Sequence, residues 1–273
     1  MVKVASLPVV FVKFNEALKN PYTTNRDLEK ILSEDSALAA RVLRIANSAM
    51  YNFPARIDTV ARAITVLGQQ QLHDIVLACS VVQMFKDIPQ EMVDMESFWL
   101  HSIACGAAAR ILASFRRQPN TERFFAAGLL HDIGRLICYL QLPRPSAEAL
   151  ALSRERGQVL YRSEREVMGF DHAKVGGLLL KAWRLPEALV SAVAHHHRPQ
   201  AAGGYALEAG IVHVADIMCH ALRYGTSGEV FVPPLQEEAW QHVDLPVDVI
   251  PPALDQLAVQ TGEAVKFILG NGT

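Results

Sequence analysis

The chain has 273 residues, 51% of them hydrophobic, and a net charge of −2. That is ample for a sizeable core in one large or two small domains. The near-neutral balance gives no basic footprint, so no nucleic-acid partner is expected.

Period-3.6 apolar patterns dominate from the start. VVFVKFNEALKN places Val9, Phe11, Val12, Phe14 and Leu18 on one broad helical face. Pro21 and the Thr23–Thr24–Asn25 cluster end that helix and offer caps for the next, RDLEKILSE. DSALAARVLRIANSAMY follows, capped by Asp35 or Ser36, with Leu38, Val42, Leu43 and Ile45 as its stripe. Asn47 and Ser48 are read as residues that fix its end. TVARAITVLG stops at Gly68, a good helix-ending residue. QQLHDIVLACSVVQMF is almost wholly apolar after His73–Asp74 and is expected deep in the core.

A polar break, KDIPQEMVDMES, marks the best internal boundary. Beyond it come FWLHSIACGAAARILASF, then GLLHDIGRL, then RERGQVLYRSERE (Arg154–Glu166), whose alternating signs read as a solvated face. DHAKVGGLLLKAWRL, EALVSAVAHHH and EAGIVHVADIMCHALRYG complete this part. The short stretches VFVKF and EVFVPP are ambiguous, and no convincing strand is found. The expected fold is all-α: a multi-helix bundle with an N-terminal helical subdomain. The expected organisation is an N-terminal helical part at 1–90, a helical core with a candidate metal site at 91–225, and a Pro-rich tail at 226–273 ending in one helix.

Cys79, Cys105, Cys138 and Cys219 lie in apolar segments without CxxC spacing, and buried reduced thiols are expected. The start, broken by Pro8 and Lys13, does not read as a signal peptide. No run approaches the ~18 uninterrupted apolar residues of a membrane span. A cytoplasmic protein without a membrane partner is therefore expected.

Chemistry is expected in the later part, where most of the histidines lie. A His–Asp pair inside GLLHDIGRL is costly to bury unless it is paired or coordinates a metal. The metal-capable side chains there are His101, His131, Asp132, His172, His195, His196, His197, His213, Asp216 and His220. His101, His131, His196 and Asp216 fall on four different helical segments, as in sites built at the centre of a bundle. Adjacent helical residues point about 100° apart, so His131 and Asp132 can share one ion only near a helix end. Imidazole and carboxylate together suit Fe, Mn, Zn or Ni more than Ca. His213 and His220 read as supporting or surface residues around Asp216, and His195 as the non-ligand member of its triplet.

The order of these residues resembles the HD superfamily of metal-dependent phosphohydrolases over roughly residues 95–225. The first part sharpens that resemblance. The LP of SLPVVF, the Asp35-x-x-Leu38-x-x-x-x-Leu43 pattern, the ANS triplet at Ala46–Ser48 and AI-x-x-LG at Ala63–Gly68 are similar to the opening of HDOD domains, the "HD-related output domains" of bacterial signalling proteins. The resemblance covers most of residues 5–225 and implies a regulatory module that binds a signalling partner or a small phosphorylated ligand. It implies a metal centre of one or two ions at His101, His131, Asp132, His196 and Asp216, with His172 and His197 as the next candidates. His172 stands where the HD-GYP phosphodiesterases carry a further ligand. The other reading is an active metal-dependent phosphohydrolase acting on a phosphomonoester, nucleotide or cyclic dinucleotide. There Asp132 would bridge metals or orient water, and Arg135 would stabilise phosphoryl charge in place of the HD-GYP lysine. The GYP loop itself is degraded: Gly204 and Tyr205 remain, but Ala201, Ala202 and Ala206 replace its Asp, Gly and Pro.

Overall fold

The computed structural model describes residues 6–48, 51, 53, 55–85 and 92–268, with side chains to 262. Every regular element among them is helical. The chain divides into two compact units, one within Asp87–Leu257 and the other within Ala5–Lys86 together with 258–268. The 226–257 stretch, expected as part of a tail, is thus counted with the unit that holds the candidate site.

The smaller unit holds α1 (Val9–Lys19), α2 (Asn25–Ser33), α3 (Ser36–Ala46), α4 (Val60–Leu67) and α5 (Gln69–Met84). Its helix ends are chemically specified. Thr24 and Asp27 form a reciprocal capping box on α2, Asp35 accepts from the Leu38 amide, and Thr59 accepts from the Arg62 amide. Gly68, at φ +86°, turns α4 into α5. Asn47 does what its position suggests: its Nδ2 donates to the Leu43 and Ile57 carbonyls and its Oδ1 accepts from the Ile57 amide, each at 2.7 Å. The broad face expected on α1 is narrower than its sequence. Phe11 and Phe14 are buried, while Val9 and Val12 face solvent. α5 is buried as expected, and its His73–Asp74 pair is satisfied internally at 3.0 Å, with His73 also 3.1 Å from Asn15 Oδ1.

The larger unit holds α6 (Met95–Phe115), α7 (Glu122–Leu130), α8 (Ile133–Gln141), α9 (Pro143–Arg156), α10 (Leu160–Met168), α11 (His172–Ala182), α12 (Glu187–His195), α13 (Ala206–Ala221) and α14 (Glu237–Val243). The last helix, α15 (Ile250–Ile268), starts here. α6 is long and apolar enough to cross a membrane by length and composition, yet 78% of that stretch is buried, which makes it the core helix of this unit. It packs on α7 and α13, and α11 packs on α8 and α12.

Two glycines permit these approaches. A Cβ on Gly128 of α7 would lie 2.5 Å from the Cys105 carbonyl oxygen and 2.8 Å from Gly106 Cα of α6. A Cβ on Gly134 of α8 would collide with the His172 carbonyl oxygen and come 2.6 Å from the Gly176 amide of α11. Glycine is therefore a packing requirement at both points. The four cysteines are free and buried, as expected.

Candidate metal centre

The His131–Asp132 pair sits where one helix stops and the next begins. His131 caps the end of α7 and Asp132 precedes α8. The break in helical geometry, with Asp132 at φ −97° and ψ 5°, lets adjacent side chains turn into one space. The other residues also project from helix interiors or ends. His101 comes from α6 and Asp216 from α13. His172 opens α11 behind its cap Asp171, and His196 and His197 follow α12. All seven are buried, none more than 4% exposed.

Asp132 stands between two groups of imidazoles. Its Oδ2 is 3.3 Å from His131 Nε2 and 3.9 Å from His101 Nε2. Its Oδ1 is 2.8 Å from His172 Nε2 and 4.0 Å from His196 Nε2. On the first side, Asp216 Oδ1 lies 3.1 Å from His101 Nε2 and 3.5 Å from His131 Nε2. On the second, His172 Nε2 is 3.3 Å from His196 Nε2 and 3.1 Å from His197 Nε2.

Hydrogen bonds on the far side of each ring decide which nitrogen faces the centre. His131 Nδ1 donates to the Gly128 carbonyl at 2.7 Å, His196 Nδ1 to the Val193 carbonyl at 2.8 Å, and His172 Nδ1 to Glu164 Oε2 at 2.6 Å. With the proton held at Nδ1, each neutral ring presents a bare Nε2 to the centre, as metal-bound histidines do. His213 is different: its Nδ1 donates to the His196 carbonyl and its Nε2 accepts from the Gln236 amide. Both nitrogens are used, so it braces the α12 end. His195 is partly exposed and lies outside the cluster.

The residues fit a metal. His131 Nε2 and both Asp132 oxygens are buried without a partner in hydrogen-bonding geometry, although charged neighbours lie within 3.5 Å. Orphaned buried carboxylate oxygens are otherwise costly. His131, Asp132 and His196 form one metal-capable group, His172, His196 and His197 a second, and His101, Cys105, His131 and Asp216 a third.

The electrostatics agree. Burial pushes His101 down to about 4 and His196 down to about 3, the latter helped by neighbouring His131 and His172. Burial acts the same way on His131 and His172, but the carboxylates win. Asp132 and Asp216 lift His131 to about 10, and Glu164 and Asp132 lift His172 to about 9 against the opposing Arg135. Asp132 is held well below the carboxylate range, against its burial, by Arg135, His131 and His172. Without an ion the cluster balances its carboxylates with protons; a divalent cation would supply the same charge.

Arg135 is 1% exposed. Its Nη1 donates to Ser227 Oγ at 2.5 Å, and its Nε lies 3.5 Å from Asp132 Oδ1 and 3.7 Å from Glu164 Oε1. Several supports were not singled out in the sequence. Glu164 accepts from both the amide and ring of His172. It belongs to the charged stretch expected to be solvated, but α10 buries Leu160, Tyr161, Ser163 and Glu164. Tyr161 stacks on His197 with centroids 4.1 Å apart. Ser227 and Glu229, in the Pro-rich region, pin Arg135 and the Leu160 amide. Cys105 Sγ lies 3.5 Å from His101 Nε2, and its i,i+4 spacing was a usable signal.

A family model for the HDOD domain matches residues 4–199, which takes in every candidate ligand except Asp216. A curated "uncharacterized protein" of Treponema pallidum (strain Nichols) is 22% identical over 195 residues, or 71% of this chain, and the chain spans only 37% of that protein's length. Among solved structures, an HDOD domain protein of unknown function from Geobacter sulfurreducens aligns with TM-score 0.82 at 24% identity, covering 97% of this chain and 93% of that one. A "putative phosphohydrolase" from Shewanella amazonensis SB2B aligns with TM-score 0.76 at 26% identity, covering 97% and 95%. A "putative signal transduction protein" from Marinobacter aquaeolei VT8 aligns with TM-score 0.73 at 20% identity, covering 97% and 60%. With a family model matching more than half of its length and an all-helical fold shared with these structures, the chain belongs to the HDOD family.

Proposed function

We propose that the chain is a signal-transduction module with a two-lobed metal centre, acting through a protein partner or a small phosphorylated ligand. His101, His131 and Asp216 form one lobe and His172, His196 and His197 the other, with Asp132 shared. Fe, Mn, Zn or Ni suits this imidazole–carboxylate set. The observation that carries the regulatory reading is closure: all seven residues are at most 4% exposed. Arg135, the cation three residues after Asp132, is instead bonded to Ser227 and faces Asp132 and Glu164. A centre so enclosed suits holding helices α6, α7, α11, α12 and α13 in one arrangement that a partner can read. The Marinobacter aquaeolei neighbour, named for signal transduction, supports this reading.

The second reading, a phosphohydrolase, is favoured by the shared carboxylate. Ions held by these residues would supply Lewis acidity and activated water for phosphoester cleavage. In that case Asp132 would hold the pair together, and Arg135 would fix the position of Asp132.

Elemental mass spectrometry on untagged protein tests the centre, and hydrolysis of phosphomonoesters and cyclic dinucleotides by the loaded protein separates the readings. The signalling proposal expects stoichiometric transition metal, lost in a His131→Ala/Asp132→Ala double variant, without turnover. Metal-dependent turnover abolished by Asp132→Ala would favour the enzyme. Folded protein that takes up no metal would overturn both.

A further inference from the structure

Resting on that metal-centre reading, we propose that Cys105 is a thiolate ligand of the first lobe, making it a mixed nitrogen–oxygen–sulfur site closed to exogenous ligands.

The sulfur is placed by the backbone. Cys105 lies one helical turn after His101 on α6, so both side chains share a face. At the same level α6 meets Gly128 of α7, where the absent side chain lets the two helices touch. Three residues on, His131 turns in beside them, oriented by its bond to the Gly128 carbonyl. Close packing at one glycine thus delivers both the sulfur and the second imidazole to the same space.

Three separations suit a coordination shell, the His101–Asp216 one being a hydrogen bond in the ion-free protein. A tetrahedral zinc with ordinary bonds separates nitrogen from oxygen by about 3.3 Å and nitrogen from sulfur by about 3.6 Å. The corresponding separations are 3.1 Å for His101 Nε2 to Asp216 Oδ1, 3.5 Å for His131 Nε2 to Asp216 Oδ1, and 3.5 Å for His101 Nε2 to Cys105 Sγ. The ligand atoms of His101, Cys105, His131 and Asp216 all lie within 4.8 Å of one another. An independent observation points into the same volume: His131 Nε2 is buried there without a hydrogen-bond partner. Cys105 is itself wholly buried, so its sulfur has no access to solvent.

Metal binding would form the metal–sulfur bond and release the thiol proton to solvent. With Cys105 engaged beside His101, His131, Asp216 and the shared Asp132, the ion has its shell filled by protein and no position for water. That is the arrangement of structural rather than catalytic zinc. The first lobe would then favour zinc or iron over manganese, because thiolate is a soft ligand.

Cobalt(II) substitution tests this. Metal-stripped protein is loaded with Co(II), bound cobalt is counted by elemental mass spectrometry, and the absorption spectrum is recorded. The proposal expects a near-ultraviolet sulfur-to-cobalt charge-transfer band that disappears in Cys105→Ser and Cys105→Ala and persists in Cys79→Ala. X-ray absorption on zinc-loaded unsubstituted protein should show a sulfur shell at about 2.3 Å, which establishes a thiolate ligand even where the variants fail to fold. Bound cobalt with no such band, together with a shell of nitrogen and oxygen alone, overturns the thiolate ligand and leaves the metal centre standing. A band lost in Cys219→Ala but not in Cys105→Ala overturns it too. Failure to bind cobalt at all removes the centre itself.

Discussion

Asp132 Oδ1 lies 2.8 Å from His172 Nε2, yet that oxygen has no partner in hydrogen-bonding geometry. Its other oxygen stands 3.3 Å from His131 Nε2, on the opposite side of the centre. One carboxylate facing two sets of ring nitrogens is placed to bridge two ions, so on the proposed reading the lobes should be separable. Unsubstituted protein is expected to bind two ions, His172→Ala one, and Asp132→Ala none or a small fraction of one. Calorimetric titration of chelated protein with zinc reads these stoichiometries. Two ions retained in Asp132→Ala would remove the bridge.

Glu164 should act chiefly through His172, because its other charged neighbour, Arg135 Nε, lies 3.7 Å away, beyond hydrogen-bonding distance. It fixes the ring by accepting from Nδ1 at 2.6 Å and from the backbone amide at 2.9 Å. Removing such an outer partner typically costs about 10–100-fold in metal affinity. Glu164→Gln is therefore expected to weaken one of two zinc-binding events by roughly that factor and to leave the other unchanged. Equal weakening of both events would show that Glu164 supports the whole unit rather than one ring.

Gly134 couples packing to the same lobe. An alanine Cβ would collide with the His172 carbonyl oxygen, backbone on both sides, so relief requires α8 and α11 to separate. Overpacking of this kind costs about 1–3 kcal/mol. Gly134→Ala is expected to lower the urea midpoint and to weaken metal binding at the lobe that His172 opens. Gly157→Ala is a control of a different kind: its Cβ meets nothing within 4 Å, but its φ of +61° strains an alanine. It should cost stability without touching metal affinity.

These contrasts show why the sequence was readable in some places and silent in others. Helix positions follow from short-range pattern, so the caps at Thr24 and Asp35 and the turn at Gly68 were available from neighbouring residues. The metal-capable side chains were legible because imidazoles and carboxylates are conspicuous in apolar helices. The proposed partition into lobes was not, because it depends on the helix break at His131–Asp132 and on which ring nitrogen each far-side bond occupies. Glu164 was hidden by its surroundings: in RERGQVLYRSERE its charge looked like its neighbours', and only burial against His172 sets it apart. Ser227 and Glu229 were hidden by distance, since nothing local ties a Pro-rich segment to Arg135, 92 residues earlier in the case of Ser227.

The metal-free protein should have a stability maximum near the ordinary histidine pKa of about 6.5. His101 and His196 are depressed, to about 4 and about 3, so between those values and ~6.5 the unfolded chain binds more protons and stability rises with pH. His131 and His172 are raised, to about 10 and about 9. Their contribution is fully present below ~6.5 and is lost as pH climbs through those values, because the folded chain then holds the extra protons. A bound cation replaces those two protons, and its affinity increases as they leave. Thermal melts across this range should therefore be bell-shaped with chelator and should hold or rise on the alkaline side with saturating zinc. An alkaline fall of the same size in both series would mean that no cation displaces the protons of His131 and His172.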